Sequence, residues 1–308
     1  MNSAPKNILV IQPLPGIGDL FWFDAVLQSL SSFYKTPVTL LTKRQSQAQA
    51  LYGGNNYVQD VLWIERPGLH EGLWGMWRLA RTLKQKKFSH VWILHKSWRY
   101  RWVCRWAGIQ HIMAYPVEKK WLQLHPIQRA EQLLKNNGVP LLKDPLFPIS
   151  EDARRHVEQI LKIHKKPWVA LGIGGSEPSK KWGHTYWEDL AVWLSHHKKV
   201  SVFLLAGARE HTEAEKMVSS IQKKGGEAVA LTQFSLQQSL AFLAETELVI
   251  ANDTGMMNGA AVLNKPVIGL FLGTAPLRYR SCLKPIQVLP GGKTISVDQV
   301  QKAVTMIL

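Results

Sequence analysis

Short apolar runs of buried-strand type alternate with stretches of helical period along the chain, and the series starts twice. "NILVIQPLPGIGDL" (7–20) reads as a parallel-type strand, a Pro/Gly loop and a helix start, continued by "FWFDAVLQSLSSFY" at helical spacing. "PVTLLT" (37–42), "VQDVLWIE" (58–65), a helix over about 72–86 and "HVWILH" (90–95) follow. Three prolines in "GVPLLKDPLFPISED" (138–152) interrupt both periods and mark a linker. After a helix at about 151–164, "PWVALGIGG" (167–175) opens a second series, which continues through a helix from about 185, "SVFLLAG" (201–207), a helix from about 210, "ELVIAND" (247–253) and "PVIGLFLG" (266–273). Strands separated by helices mean parallel sheets covered on both faces. The expectation is an α/β protein of two Rossmann-like domains, 1–150 and 151–308, facing each other across a cleft.

Composition narrows the function. With 46% apolar residues the chain is not disordered. No window approaches the roughly 18–20 apolar residues of a membrane span, and the apolar run at the N-terminus is too short for a secretory signal. A soluble, cytoplasmic protein is expected. Cys104 and Cys282 lie far apart without C-x-x-C spacing and read as ordinary thiols, neither a disulfide framework nor a metal site. The 38 basic against 22 acidic residues, a net charge of +16, favour an anionic partner. No helix-turn-helix, zinc-finger or RRM-type signature points to nucleic acid.

The chain carries 13 Trp. In "HKSWRYRWVCRWAG" (95–108), Trp98, Trp102 and Trp106 share one helical face, with Arg99, Arg101 and Arg105 at its flanks. A core-facing tryptophan stripe with solvated arginines is the preferred expectation. The alternative is a face resting on an anionic membrane surface.

In open parallel sheets, ligands bind beyond the carboxyl ends of the strands, where glycine turns and helix N-termini expose backbone N–H groups. Four such turns carry chemistry. "PGIGD" (15–19) has Gly16 and Gly18 for close backbone approach, and Asp19 either caps the next helix or projects toward a ligand. "GIGGSEPSKKWG" (172–183) offers Ser176, Lys180 and Lys181, a composition suited to a diphosphate, although neither G-x-x-x-x-G-K-[ST] nor G-x-G-x-x-G order is present. "AGAREHTEAE" (206–215) places Glu210, Glu213 and Glu215 where a carboxylate accepts ribose hydroxyls or complements a helix dipole. "ANDTGMMNGAA" (251–261) combines Asp253, Thr254 and Gly255 at a strand-to-helix corner, a carboxylate for sugar hydroxyls beside N–H groups for phosphate.

The segments "ILVIQPLPGIGDLFWFDAVLQSL", "LGIGGSEPSKKWGHTYWEDLAVWL", "VFLLAGARE" and "LVIANDTGMMNGAAVLNKPVIGLFLGTAP" occur in the order seen in glycosyltransferase family 9, the ADP-heptose:lipopolysaccharide heptosyltransferases, which the chain resembles over nearly its whole length. The resemblance implies a GT-B fold and inverting transfer without a metal or other cofactor. It further implies a nucleotide-diphosphate sugar held by the C-terminal domain and a phosphorylated glycolipid acceptor held by the N-terminal domain, at the inner face of the inner membrane. Asp19 matches the loop aspartate that serves as general base. Lys180, two residues before Trp182, matches the donor-phosphate lysine, Ser176 the hydroxyl position, Asp253 the donor-sugar aspartate, and Thr254 with Gly255 the phosphate turn. Glu210 matches the ribose acid, with Glu213 the alternative. Where the family usually has histidine, this chain has Asn258, counted with the donor-binding set; an amide donates a hydrogen bond but carries no charge. A different donor or acceptor, or an inactive nucleotide-sugar-binding relative, is the alternative reading.

Overall fold

The computed structural model describes residues 7–308 except 117, 119, 120, 122 and 176. The chain divides into two compact units, one ending at Pro145 and the other spanning Leu146–Leu308. Phe147 belongs to the second unit because its ring is buried and its N–H donates to the Val262 carbonyl.

In the first unit β1 (Ile8–Ile11), β2 (Val38–Thr42), β3 (Val58–Trp63), β4 (His90–Ile93) and β5 (His111–Ala114) form one sheet of order β3-β2-β1-β4-β5. All of its pairings are parallel. The helices are α1 (Ile17–Tyr34), α2 (Ala48–Tyr52), α3 (Gly72–Gln85), α4 (Trp98–Trp106) and α5 (Pro126–Asn136). β1, β2 and β4 are mostly apolar and almost wholly buried because helices cover both faces. Right-handed crossovers place α1 and α2 on one face of the sheet and α3 and α4 on the other. Met76, Leu79, Ala80 and Leu83 of α3 pack with Tyr100, Val103 and Cys104 of α4 against Leu9, Ile11, Leu41, Val91 and Ile93 of the strands.

That packing corrects the preferred reading of the tryptophan stripe. The core side of α4 is Tyr100, Val103 and Cys104. Trp98, Trp102 and Trp106 face solvent, at 62%, 45% and 44% exposure.

The second unit has β6 (Trp168–Gly172), β7 (Ser201–Leu205), β8 (Val229–Leu231), β9 (Leu248–Asn252), β10 (Val267–Phe271) and β11 (Leu283–Gln287), in the order β11-β10-β9-β6-β7-β8. Its pairings are parallel as well. Its helices are α6 (Glu151–Leu161), α7 (His184–His197), α8 (His211–Lys223), α9 (Leu236–Glu245), α10 (Gly255–Val262) and α11 (Val297–Thr305). α7, α8 and α11 share one core with the strands through Trp187, Leu190, Met217, Ile221 and Val300. Two glycines permit close approach at the centre: a Cβ on Gly172 would lie 2.7 Å from the Ala251 Cβ across the β6–β9 pair, and one on Gly269 would lie 2.6 Å from the Met257 sulfur of α10. The small-residue start of α10 thereby sits tight against β10.

Strand order reverses between β1 and β4 in the first sheet and between β6 and β9 in the second. These are the switch points where the carboxyl ends of open parallel strands leave a ligand crevice. No helix among the described residues is long and apolar enough to cross a membrane.

Candidate functional site

In the second unit the turns after β6, β7, β9 and β10 lie at the carboxyl edge of the sheet. Asn252, the last residue of β9, is fully buried and organises them. Its Oδ1 accepts from the Trp182 N–H at 3.1 Å, and its Nδ2 donates to the carbonyls of Ile173 and Gly174, each at 3.0 Å. One side chain therefore fastens both ends of the 173–182 loop to the switch point. Trp182 is buried too, its indole N–H donating to the Ile295 carbonyl at 2.7 Å. Lys180 closes a single 3-10 turn in this loop, Pro178–Lys180, and is half-buried with no ion-pair partner among the described residues. Lys181 differs. Its Nζ stands 3.8 Å from Glu210 Oε1 and 3.7 Å from Glu213 Oε2. Ser176 lies outside the described residues.

Glu210 ends the 3-10 turn Ala208–Glu210 after β7, while Glu213, in the first turn of α8, also pairs with His184. With Glu213 engaged twice, Glu210 is the carboxylate with the looser attachment, the one better able to turn to a ligand hydroxyl. Asp253 follows β9. Its N–H donates to the Leu270 carbonyl at 3.2 Å, and its Oδ2 accepts from the Thr274 hydroxyl at 2.7 Å. The second oxygen, Oδ1, has no hydrogen-bond partner among the described residues and remains an acceptor. Thr254 is the extended N-cap of α10 and makes no side-chain cap bond, so the N–H groups of the first turn, beginning at Gly255, have neither an intrahelical acceptor nor a hydroxyl cap. Such a terminus favours an anion.

Asn258 is placed differently from the sequence expectation. It is 2% exposed, donates from Nδ2 to the Thr254 carbonyl at 3.0 Å and accepts from the Tyr279 hydroxyl at 2.6 Å. It braces the Asp253–Thr254 turn from behind. Burial pushes the Tyr279 hydroxyl well above the ordinary phenol range, so it stays a neutral donor.

In the first unit Gly16 is the N-cap of α1, and Gly18 lies in the first turn of the helix. The Gly16 N–H donates to Asp19 Oδ2 at 3.0 Å, half of a capping box. A Cβ on Gly16 would come within 2.8 Å of that oxygen, so a side chain at position 16 would make the Asp19 carboxylate shift. Beyond the ends of β1 to β4 opens a cleft of about 350 Å³ lined by Pro13, Lys43, Arg66, Pro67, Glu71, His95 and Tyr100. Its cations were not singled out from sequence. The signal that could have found them is position, since Lys43, Arg66 and His95 each lie within three residues of a strand end. His95 Nδ1 accepts from the Ser97 N–H at 3.1 Å. Burial, followed by the charges of Lys96, Lys43 and Arg129, lowers its pKa to about 4. The ring is therefore neutral with its proton on Nε2, a donor among cations.

Cys104 is a core residue whose thiol is pushed up to about 12 by burial, which leaves it unreactive. Among the described residues no group of three or more His, Cys, Asp or Glu side chains could hold a metal ion.

The description "Glycosyltransferase family 9 (heptosyltransferase)" matches residues 76–301. The chain belongs to glycosyltransferase family 9. It is 22% identical over 224 residues to lipopolysaccharide heptosyltransferase 2 of Escherichia coli K12, a match spanning 65% of this chain and 64% of that relative. Among solved structures it resembles E. coli ADP-heptose lipopolysaccharide heptosyltransferase II (TM-score 0.75, 19% identity, 98% of each chain). It also resembles an E. coli heptosyltransferase bound to ADP-2-deoxy-2-fluoro heptose (TM-score 0.68, 14% identity, 97% of this chain and 99% of that one). At these identities the structural likeness establishes the fold, the GT-B pair of Rossmann-like units. Within that fold, this family 9 chain gathers Lys180, Glu210, Asp253, Thr254 and Gly255 at one sheet edge, and keeps Asp19 in the other unit.

Proposed function

We propose that the chain is an inverting, metal-independent glycosyltransferase that moves a heptose from ADP-heptose to an anionic glycolipid acceptor of the lipopolysaccharide-core type. The observation that carries this reading is the carboxyl edge of the second sheet. A lysine with no ion-pair partner among the described residues lies there, on a loop fastened at both ends by a buried asparagine, and the turn after β9 adds an uncapped helix N-terminus and a carboxylate with one oxygen left over. Those groups suit, in turn, the diphosphate's charge, its oxygens and the hydroxyls of a sugar. The family membership supports the reading, as do the ligand of the heptosyltransferase structure and the name of the E. coli relative.

The reaction follows from these roles. The Asp19 carboxylate takes the proton from an acceptor hydroxyl as that oxygen forms a bond to the anomeric carbon. The bond from that carbon to the diphosphate oxygen breaks on the opposite face, and ADP leaves with the electron pair, which inverts the anomeric configuration. Lys180 and the first-turn N–H groups of α10 stabilise the charge developing on the diphosphate. The cleft of Lys43, Arg66 and neutral His95 provides cations and an N–H donor for the phosphates of an acceptor on the first unit.

A thermal-shift panel of nucleotides and nucleotide sugars tests the donor, because a ligand that binds only the folded state raises apparent stability. ADP-heptose is expected to stabilise the protein more than ADP does, and both more than their UDP counterparts. Asp253→Ala should weaken ADP-heptose binding by about 1.5–3 kcal/mol, the range for hydrogen bonds to a charged group, and ADP binding by less. Equal losses for both ligands would remove Asp253 from the sugar.

A further inference from the structure

The outer face of α3 and α4 is apolar, aromatic and cationic, and nothing in the transfer reading uses it. Leu73, Trp74 and Trp77 of α3 are 70%, 78% and 49% exposed. With Arg81 and Lys84, also of α3, and Trp106 of α4 they line a groove of about 860 Å³, so the exposed faces of the two helices form one surface. Trp74 and Trp77 meet edge to face at 6.4 Å, as far apart as the tilted pair Trp102 and Trp106. Cations stand over the rings: Arg81 is 5.7 Å from the Trp77 centroid and Arg105 5.6 Å from that of Trp102. Neither helix contains an acidic residue. Arg99 and Arg101 are drawn into the fold, donating to the carbonyls of His70 and Gly72 and of Tyr115, whereas Arg78, Arg81, Lys84 and Arg105 stay exposed.

A large exposed aromatic patch on a folded protein marks an interaction site. Its chemistry selects the occupant. A second copy of this chain would bring like charge onto like charge. Single-stranded nucleic acid would use the rings and the arginines but leave the exposed Leu73 in water. Exposed indoles beside an aliphatic side chain, with cations among them, complement an anionic bilayer.

We infer that the α3–α4 face, centred on Leu73, Trp74 and Trp77, docks the protein on an anionic lipid bilayer. This goes beyond the transfer reading and does not depend on it. The N-termini of both helices adjoin the cationic cleft, since Glu71 caps α3 and Tyr100 belongs to α4, and both residues line that cleft. A bilayer on this face therefore brings its headgroups up to the cleft's rim.

The test is co-sedimentation of the full chain with phosphatidylcholine vesicles, with and without phosphatidylglycerol, none carrying a sugar acceptor. Binding is expected only with the anionic lipid and should weaken as salt rises, because exposed charges are screened beyond about 10 Å at 0.1 M. Trp74→Glu with Trp77→Glu should lower vesicle binding at least tenfold while circular dichroism, melting temperature and ADP stabilisation stay unchanged, the side chains being solvent-exposed. Arg81→Gln with Lys84→Gln should reduce the dependence on phosphatidylglycerol. Equal binding to neutral vesicles would overturn the inference. So would unaltered binding by the tryptophan variant, a self-association that the variant abolishes, or a preference for single-stranded DNA over vesicles.

Discussion

His95 shows how one half-buried side chain ties the candidate acceptor cleft to pH. Its Nδ1 is committed to the Ser97 N–H and its folded pKa is about 4, against 6.5 for an ordinary imidazole. Above that ordinary value the ring is neutral in both folded and unfolded chains and costs nothing. As pH falls from 6.5 toward about 4, the unfolded chain takes up a proton that the folded chain refuses, so stability declines across that window. His70, whose Nδ1 accepts from the Glu65 N–H and whose pKa is lowered by burial, shifts in the same direction. Melting temperature followed across this pH range should fall less steeply for His95→Gln than for the wild type, and parallel curves would remove His95 as a source of the acid sensitivity. Asn258 teaches a different lesson at this scale. The family resemblance puts it with the donor contacts, while in the structure its amide bonds Thr254 and Tyr279. A motif fixes where a residue stands in the turn, whereas the direction of its side chain depends on Tyr279, twenty-one residues later, which no local pattern reveals.

Among the elements, the inner strands are legible in the sequence, and so is the edge strand β3, whose Val58, Val61, Leu62 and Trp63 keep enough apolar character to be read. β1, β2, β4, β6, β7, β9 and β10 are mostly apolar, buried strands, and the sequence places each within a few residues. β5, β8 and β11 are not legible. They are edge strands, and their composition is mixed because one side meets no neighbour: β5 is partly exposed, β8 has three residues and β11 carries Pro285, which an edge tolerates. The side on which the α4 tryptophans lie is not legible in the sequence for a related reason. Helical spacing shows that three rings share a face, but the sheet was met instead by Tyr100, Val103 and Cys104, which form an equally good stripe. Asn252 was visible as a strand-end residue, but its function is to hold a loop some seventy residues earlier in sequence. Asn252→Ala should cost about 1–3 kcal/mol for the buried groups left unpaired, measured by denaturant unfolding. It should also weaken ADP stabilisation by releasing the loop that carries Lys180. Unchanged ADP binding in a destabilised variant would confine Asn252 to folding.

For the whole molecule, the doubled strand-helix series was the feature that could be read most directly, since a pattern repeated in one chain leaves few architectures open. The division of labour proposed for the two units was legible to the extent that the chemistry lies on strand-end turns. The cationic cleft was not, because its residues come from the ends of four strands and meet only once the sheet order is known. With the donor proposed on the second unit and the base on the first, Asp19 is where that division is tested, because its capping bond can be preserved. Asn at position 19 still offers an oxygen to the Gly16 N–H, so α1 should keep its start. The most direct measurement is mass-spectrometric detection of heptose transfer from ADP-heptose to a truncated lipopolysaccharide-core acceptor by the purified chain, run beside Asp19→Asn. The account predicts one heptose added by the wild type, and turnover at least about 10²-fold lower in the variant with ADP-heptose binding retained. Equal turnover by Asp19→Asn, or no transfer from ADP-heptose by a wild type that does use another nucleotide sugar, would contradict it.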